Sequence, residues 1–301
     1  MLRIKATQQF HTLWIILCLG CLSLTACNQA DQATTNITDE SQVLPAQSEW
    51  LMEGFNPQRT RATTAQASPP LTLQQEFRVD GDAQFGSPVG VAGGNIFIEG
   101  KRKLHAFSLD QGQEQWAFNL PGSFVSPAIN DNQVIVRAES GTEGYIFALT
   151  ADTGLKLWQF KFPRVGSADG DLGGHVTSPV IVDGLVIVGA SKTFNALDAQ
   201  TGDLVWSFQT EEPIGSSASI IDNTVYFVDF DNLYALDLAT GEEQWRFLQE
   251  GLSLLFAPII VEDQVVTANR DMAYVLDRHS GELLWQKKVP DERLIPAGAS
   301  K

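Results

Sequence analysis

The sequence predicts an all-β fold, a β-propeller of four-stranded blades, with five full repeats and one extra N-terminal strand. Three observations carry this. The first is a phrase that returns five times: KLHAFSLDQGQEQW, YIFALTADTGLKLW, TFNALDAQTGDLVW, LYALDLATGEEQW and AYVLDRHSGELLW. Each copy keeps a Gly four residues before its Trp (Gly112/Trp116, Gly154/Trp158, Gly202/Trp206, Gly241/Trp245 and Gly281/Trp285), and the Trp residues follow at intervals of 42, 48, 39 and 40. A fixed period of this length marks a repeat architecture, in which each unit buries its apolar face against its neighbours. The second observation is the make-up of a unit, four short apolar runs separated by tight-turn residues. The third is that no helical apolar period competes beyond the N-terminal segment.

Residues 178–206, SPVIVDGLVIVGASKTFNALDAQTGDLVW, show the grammar of one unit. Ser-Pro opens it, and Pro suits the first residue of a strand. Val180-Ile181-Val182 is apolar on both faces, which predicts a central, fully buried strand. Asp183-Gly184 signals a two-residue hairpin turn. Val186 to Gly189 is the second strand and Phe194 to Leu197 starts the third. Asp198 through Gly202 form the next turn, where Asp accepts bonds from its own downstream backbone and Gly supplies a positive φ. Leu204 to Phe208 is the fourth strand and carries Trp206. An aromatic ring at one fixed place in every outer strand is expected to pack between blades, burying roughly 150–250 Å². The five Gly–Trp pairs are therefore structural expectations.

The ends of the array break the pattern. Phe77 lies 10 residues before Ser87, the spacing from Trp116 to Ser126, so LTLQQEFRV is expected to be a lone fourth strand. Ser300, 15 residues after Trp285, falls where a sixth unit would open. The count leaves two alternatives, a reading frame that stops before a sixth unit or a five-blade body with one added strand. Either leaves the ring incompletely closed, with exposed edges that invite self-association.

Ahead of the array lie three segments. Residues 1–26 are expected to be a signal peptide: Arg3 and Lys5 precede an apolar run from Leu13 to Leu24 too short for a comfortable membrane span. The junction Leu24-Thr25-Ala26-Cys27 resembles a bacterial lipobox, with cleavage before Cys27 and a lipid on its thiol. Cys18 and Cys21 fit worse, because Leu17 is large and Cys21 lacks the upstream aliphatic residue. Processing there would leave a single, acylated Cys and no disulfide. Residues 27–48 are polar and are expected to be a disordered tether; Asn36-Ile37-Thr38 within it matches a glycosylation triplet by chance. Residues 49–70 are a lead-in whose Trp50, Leu51 and Phe55 are apolar enough to dock on the body, and residues 71–301 are the propeller.

Loss of Arg3 and Lys5 takes the net charge from −16 to −18. That acidity excludes an electrostatic footprint for nucleic acid and would repel anionic lipid, leaving the lipid chains to hold the protein to a membrane. It serves solubility and could steer a basic partner.

The chemistry-bearing residues are sparse. Asp169-Gly-Asp171 lies in the long insertion RVGSADGDLGGH, and Asp229-Phe-Asp231-Asn232 replaces a hairpin loop. Carboxylates two apart can begin a Ca²⁺ site, yet such a site takes 6–8 oxygens, so turn-forming Asp is the better account of both. His105, His175 and His279 sit in different units without metal-ligand spacing. The Ser-Pro serines open strands and have no partner base. These residues predict no catalytic site, no metal and no cofactor.

The phrase A-L-D-x-x-T-G-x-x-x-W, followed by S-P-x-V-x-D-G, resembles the PQQ-like propeller repeat. Ala196-Leu197-Asp198 with Thr201-Gly202 and Ala235-Leu236-Asp237 with Thr240-Gly241 are full copies; Val275 replaces Ala in the last, and Ser108 and Thr150 stand where Asp belongs in the first two. Pro88, Pro127, Pro179 and Pro258 open units, while Ala218 replaces Pro in the fourth. With its lipobox, the chain is similar to the propeller lipoproteins of the bacterial outer-membrane barrel-assembly machinery. That resemblance implies a non-catalytic scaffold that binds a larger membrane partner, a barrel-assembly complex, through loops on the propeller faces. Asn28 after Cys27 is not the Asp that would retain it at an inner membrane. The outer membrane facing the periplasm is expected where the cell has two membranes, and otherwise the outer face of the cytoplasmic membrane. The repeat also occurs in PQQ-dependent dehydrogenases, which stack a quinone over a vicinal disulfide beside Ca²⁺; processing at Cys27 would remove the cysteines such a site needs. A quinone or small-ligand binder using the central channel is the competing alternative, and a sensor or carbohydrate binder a third. For a scaffold, loops that break the period are the best candidates: residues 163–176 with His175 first, then LQEGLSLLF (248–256), where Leu254, Leu255 and Phe256 cluster.

Overall fold

The computed structural model describes residues 51–53, 56–59, 76, 77, 79, 89–100, 102–124, 126–130, 132–163, 177–248, 256–269 and 271–288. Among these, 21 strands form five antiparallel sheets and there is no helix. Sheet 1 is β1 (Gly90–Ala92), β2 (Asn95–Gly100), β3 (Lys103–Ser108) and β4 (Glu114–Asn119). Sheet 2 is β5 (Ser123–Phe124), β6 (Ala128–Ile129), β7 (Gln133–Ser140), β8 (Glu143–Thr150) and β9 (Lys156–Pro163). Sheet 3 is β10 (Val180–Val182), β11 (Leu185–Ala190), β12 (Thr193–Asp198) and β13 (Leu204–Gln209). Sheet 4 is β14 (Ser219–Ile221), β15 (Thr224–Val228), β16 (Asn232–Asp237) and β17 (Glu243–Leu248). Sheet 5 is β18 (Ile259–Val261), β19 (Gln264–Ala268), β20 (Met272–Asp277) and β21 (Leu283–Lys288).

Each sheet is a meander in chain order, the predicted blade. The first hairpin of sheet 3 turns on Asp183 and Gly184 with φ of 47° and 77°. Two successive positive φ values match the hairpin twist to that of the strands. In the third-to-fourth turn, the Asp198 carboxylate accepts from the backbone N–H of Gln200 and Thr201 at 2.8 Å each, and Gly202 N–H donates to the Asp198 carbonyl at 2.8 Å. The pairing of third and fourth strands shifts register at the same step in all five sheets, as at Ala196/Leu197 and Ala235/Leu236. That irregularity places each Trp opposite the residue before the conserved Leu.

Two details differ from expectation. In sheet 2 the innermost strand is split: β5 pairs with the Ala138–Glu139 end of β7 and β6 with the Val134–Ile135 end. Pro127 lies in the break, where a residue without an N–H cannot extend the ladder. The innermost strand β10 is less buried than its all-apolar sequence predicts, because Ile181 and Val182 are only partly covered. Of LTLQQEFRV, only residues 76, 77 and 79 are described, so the expected lone strand lies mostly outside the described residues. Phe77 nevertheless packs on sheet 1 against Ile96, Ile98 and Phe107, with ring centroids 5.8 Å apart for Phe77 and Phe107.

The core lies between sheets. One cluster joins Phe97, Ala106 and Trp116 of sheet 1 to Val134, Val136 and Leu149 of sheet 2; others join sheets 2 and 3, 3 and 4, and 4 and 5. The second and third strands are buried on both faces, β15 along its whole length, as the central strands of a propeller blade must be.

Candidate functional site

The inter-sheet junction is the unit from which the candidate surface is built. Cross-strand register puts one residue from each strand in a row ending on the Trp: Gly90–Phe97–Ala106–Trp116, Ala128–Ile135–Ala148–Trp158, Val180–Ile187–Ala196–Trp206, Ser219–Tyr226–Ala235–Trp245 and Ile259–Val266–Val275–Trp285. In the first four rows the next sheet covers the indole. The indole N–H donates to a carbonyl of that sheet: Trp116 to Ala151 at 3.0 Å, Trp158 to Ala199 at 2.9 Å, Trp206 to Leu238 at 2.8 Å and Trp245 to Arg278 at 3.0 Å. The conserved Gly of that next sheet lies flat on the ring. A Cβ at Gly154, Gly202, Gly241 or Gly281 would stand 2.6 Å from indole carbons, closer than packing permits. The Gly of each phrase thus serves the Trp of the phrase before it.

Among the described residues the fifth row has no such cover. Trp285 is 50% exposed, against 8–9% for the other four repeat Trp residues. Ile259 and Val266, whose counterparts in sheets 2 to 4 are buried, are partly exposed. Phe256, from the second predicted patch, is half-buried. His175, Leu254 and Leu255, with residues 164–176, Asp169, Asp171 and the predicted lipidation site Cys27, lie outside the described residues.

The roots of the 164–176 insertion are described. Arg137 on β7 is buried, pairs with the buried Glu139 carboxylate, donates to the Thr177 hydroxyl at 2.8 Å and stands 5.3 Å from the centre of the Phe162 ring. It ties together the two residues that flank the insertion, Phe162 at the end of β9 and Thr177. Nearby, Glu143 bridges Lys161 and the Tyr145 hydroxyl. The Lys161 bond, and then the Tyr145 bond, hold the Glu143 carboxyl below its ordinary value.

The described part of the lead-in bonds to innermost strands of two sheets. The Leu51 carbonyl accepts from Ile129 N–H on β6 at 2.7 Å, and the Pro57 carbonyl from Ile220 N–H on β14 at 2.8 Å. Met52 is buried in the cluster that joins Ala128, Val180 and Ala218. Arg59, 2% exposed with φ of 55°, donates through Nε to the Ala218 carbonyl at 2.5 Å and pairs with the Glu53 carboxylate at 3.2 Å. The lead-in thus binds the innermost strands β6 and β14, and Met52 shares a buried cluster with Val180 of the innermost strand β10. Trp50 and Phe55 lie outside the described residues. Leu51 could be found from sequence by its apolarity; Arg59 could not, since nothing local marks it for burial.

The remaining polar candidates are held by structural bonds. Asp229 is fully buried and accepts from the backbone N–H of Asp231 and Asn232, the Asn232 amide and the Tyr234 hydroxyl at 2.7 Å. Desolvation, and then this Asp229 bond, push the Tyr234 hydroxyl far above its ordinary value. A carboxylate so filled with donors caps a tight turn. His105 stands 3.1 Å from Glu114, and His279 is exposed on a turn. Among the described residues no cluster of three or more His, Cys, Asp or Glu could hold a metal ion. No helix among them is long and apolar enough to cross a membrane.

The repeated junction defines a β-propeller of PQQ-like repeats. The chain belongs to the family described as outer membrane protein assembly factor BamB, whose model matches residues 58–164 and 142–296. It is 25% identical over 199 residues to outer membrane protein assembly factor BamB of Nitrosomonas eutropha, covering 58% of this chain and 45% of that protein. The crystal structure of BamB from Moraxella catarrhalis is similar with a TM-score of 0.54 at 25% identity, over 65% of this chain and 58% of that one. The quinohemoprotein alcohol dehydrogenase of Comamonas testosteroni is 28% identical over 138 residues, 38% of this chain and 20% of that protein. Its crystal structure shares the fold with a TM-score of 0.67 at 16% identity, over 80% of this chain and 49% of that one. The chain spans less than half of the length of the Nitrosomonas protein it matches.

Proposed function

We propose that the chain is a non-catalytic, lipid-anchored scaffold of the cell envelope that binds a protein partner during outer-membrane protein assembly. Cys27 is its anchor, and the outer membrane, facing the periplasm, is its place where the cell has two membranes. The observation that carries this reading is the lead-in bound to the innermost strands, Leu51 to β6 and Pro57 to β14, with Arg59 held by Ala218. Innermost strands bound in this way are ill-suited to a channel ligand, and the exposed Trp285 suits contact with protein. Membership of the assembly-factor family supplies the process. The loop at residues 163–176, rooted by Arg137, is the proposed partner loop.

The test is crosslinking in cells and affinity purification from membranes, with Cys27→Ser as the unanchored control. Recovery of a barrel-assembly protein with the anchored chain, lost in the control, is the expected result. A second reading, a quinone- or small-ligand-binding propeller, is favoured by the similarity to the Comamonas dehydrogenase. Purified protein carrying quinone absorbance and no protein partner would establish it instead.

A further inference from the structure

The fifth Trp has the same local geometry as the other four. Gly281 and Gly112 are the turn glycines of the last and first units, with φ of 73° and 65°, and the three occupied sockets between them show 68°, 78° and 72°. Gly112 N–H donates to the Ser108 carbonyl at 2.8 Å, as Gly154 does to Thr150 at 2.9 Å and Gly202 to Asp198 at 2.8 Å. In every occupied junction the acceptor of the indole N–H is the residue directly after the first residue of this turn, namely Ala151, Ala199, Leu238 or Arg278. The counterpart in sheet 1 is Leu109. Among the described residues, therefore, no sheet covers the indole of sheet 5, and sheet 1 carries a fifth socket.

The fifth socket holds a different ring. Phe77 packs on Ile96, Ile98 and Phe107, the sheet 1 counterparts of the Val134, Val136 and Leu149 that surround Trp116. A phenyl ring fills the apolar part of the socket but has no N–H for the Leu109 carbonyl. The 50% exposure of Trp285 shows that the chain does not close on itself by placing this indole in its own socket.

We propose that Trp285 of one copy enters the Leu109–Gly112 socket of a second copy, displacing Phe77, and that the chain associates head to tail. The occupant is argued from continuity: the contact repeats a junction the molecule already makes four times, with the same ring, the same glycine and the same carbonyl. Such an interface uses two different patches and is heterologous, so it leads to a closed ring or an open filament according to the rotation between copies. Both copies are strongly acidic, so salt that screens their repulsion should strengthen the contact.

Sedimentation of the full chain across a concentration series tests this. The unaltered chain should self-associate, more so at higher salt. Trp285→Asp removes the plug, and Gly112→Asn blocks the socket with a residue that tolerates positive φ. Each should be monomeric alone, with an unchanged thermal midpoint. Mixed together, they should form a one-to-one dimer that grows no further, since one supplies the free socket and the other the free plug. A monomeric unaltered chain overturns the proposal and gives the face to a different protein. Association that survives Trp285→Asp overturns it as well. Association lost in Trp285→Asp but kept in Gly112→Asn also overturns it, because two Trp285 faces would then be meeting each other.

Discussion

Two residues of the same type, Trp206 and Trp285, separate what a motif is from what its neighbours make of it. Trp206 is 8% exposed with its N–H bonded to Leu238, and Trp285 is 50% exposed. Trp206→Ala should cost about 3–5 kcal/mol, the range for removing a buried aromatic, and Trp285→Ala less than about 1 kcal/mol, as for most surface changes. Urea denaturation of the two variants checks the contrast. Gly202 adds a third test. Its φ of 78° and the 2.6 Å approach to Trp158 both exclude a side chain, so Gly202→Ala should lose more than the roughly 1–2 kcal/mol of left-handed strain alone. The turn aspartates predict a pH dependence. Asp198 is held below its ordinary value of 3.8 by the N–H groups of Thr201 and then Gln200. A lowered folded value means that the carboxylate's stabilisation is complete well above 3.8 and fades as pH falls through the lower folded value. The stability gap between the unaltered chain and Asp198→Asn should accordingly be widest near neutral pH and narrow in acid. Much at this scale was legible. The Gly-to-Trp spacing marked every junction residue, because the two lie a fixed distance apart in sequence even though each Gly serves the preceding Trp. The exposure of Trp285 was not legible, because its phrase is like the others and only its place in the array differs.

The strap and the split strand show where legibility ends for an element. Four runs per period gave the meander, since turn chemistry is local. The break between β5 and β6 was marked only by Ser126-Pro127, which also opens unbroken strands elsewhere. The lead-in was expected to dock, but its course across β6 and β14 depends on Arg59, whose partners Ala218 and Glu53 are assembled by the fold. Removing that guanidinium should release the element. Arg59→Met should destabilise toward the low end of the roughly 3–5 kcal/mol expected for breaking a buried pair, because Glu53 is partly exposed. It should also open residues 51–59 to a protease that leaves the unaltered chain intact there. Arg59→Lys should behave alike, since one ammonium cannot reproduce bonds made from two nitrogens of a planar fork. Rapid cleavage of the unaltered chain in this segment would contradict the bound lead-in.

The whole molecule is a one-dimensional array, and its stability follows position. Among the described residues, sheets 2, 3 and 4 are covered on both faces, whereas sheet 5 is covered by sheet 4 alone. Amides of β19 and β20 should exchange with solvent well before those of β15 and β16, although both pairs sit in the middle of their sheets. Equal protection across the sheets would show that the array opens as a single unit. The family was legible at this scale because the repeat recurs, and its match over residues 58–164 and 142–296 follows the same phrases.

Arg59 also fixes an order of events. Its acceptor at Ala218 lies 159 residues further along the chain. A polypeptide made or exported from its N-terminal end delivers the strap first, yet the strand that receives it is not present until the fourth sheet has emerged. The Arg59 contact therefore cannot form until sheet 4 has emerged, whereas Leu51 can already bind β6 once sheet 2 is present, so the lead-in is seated in two stages.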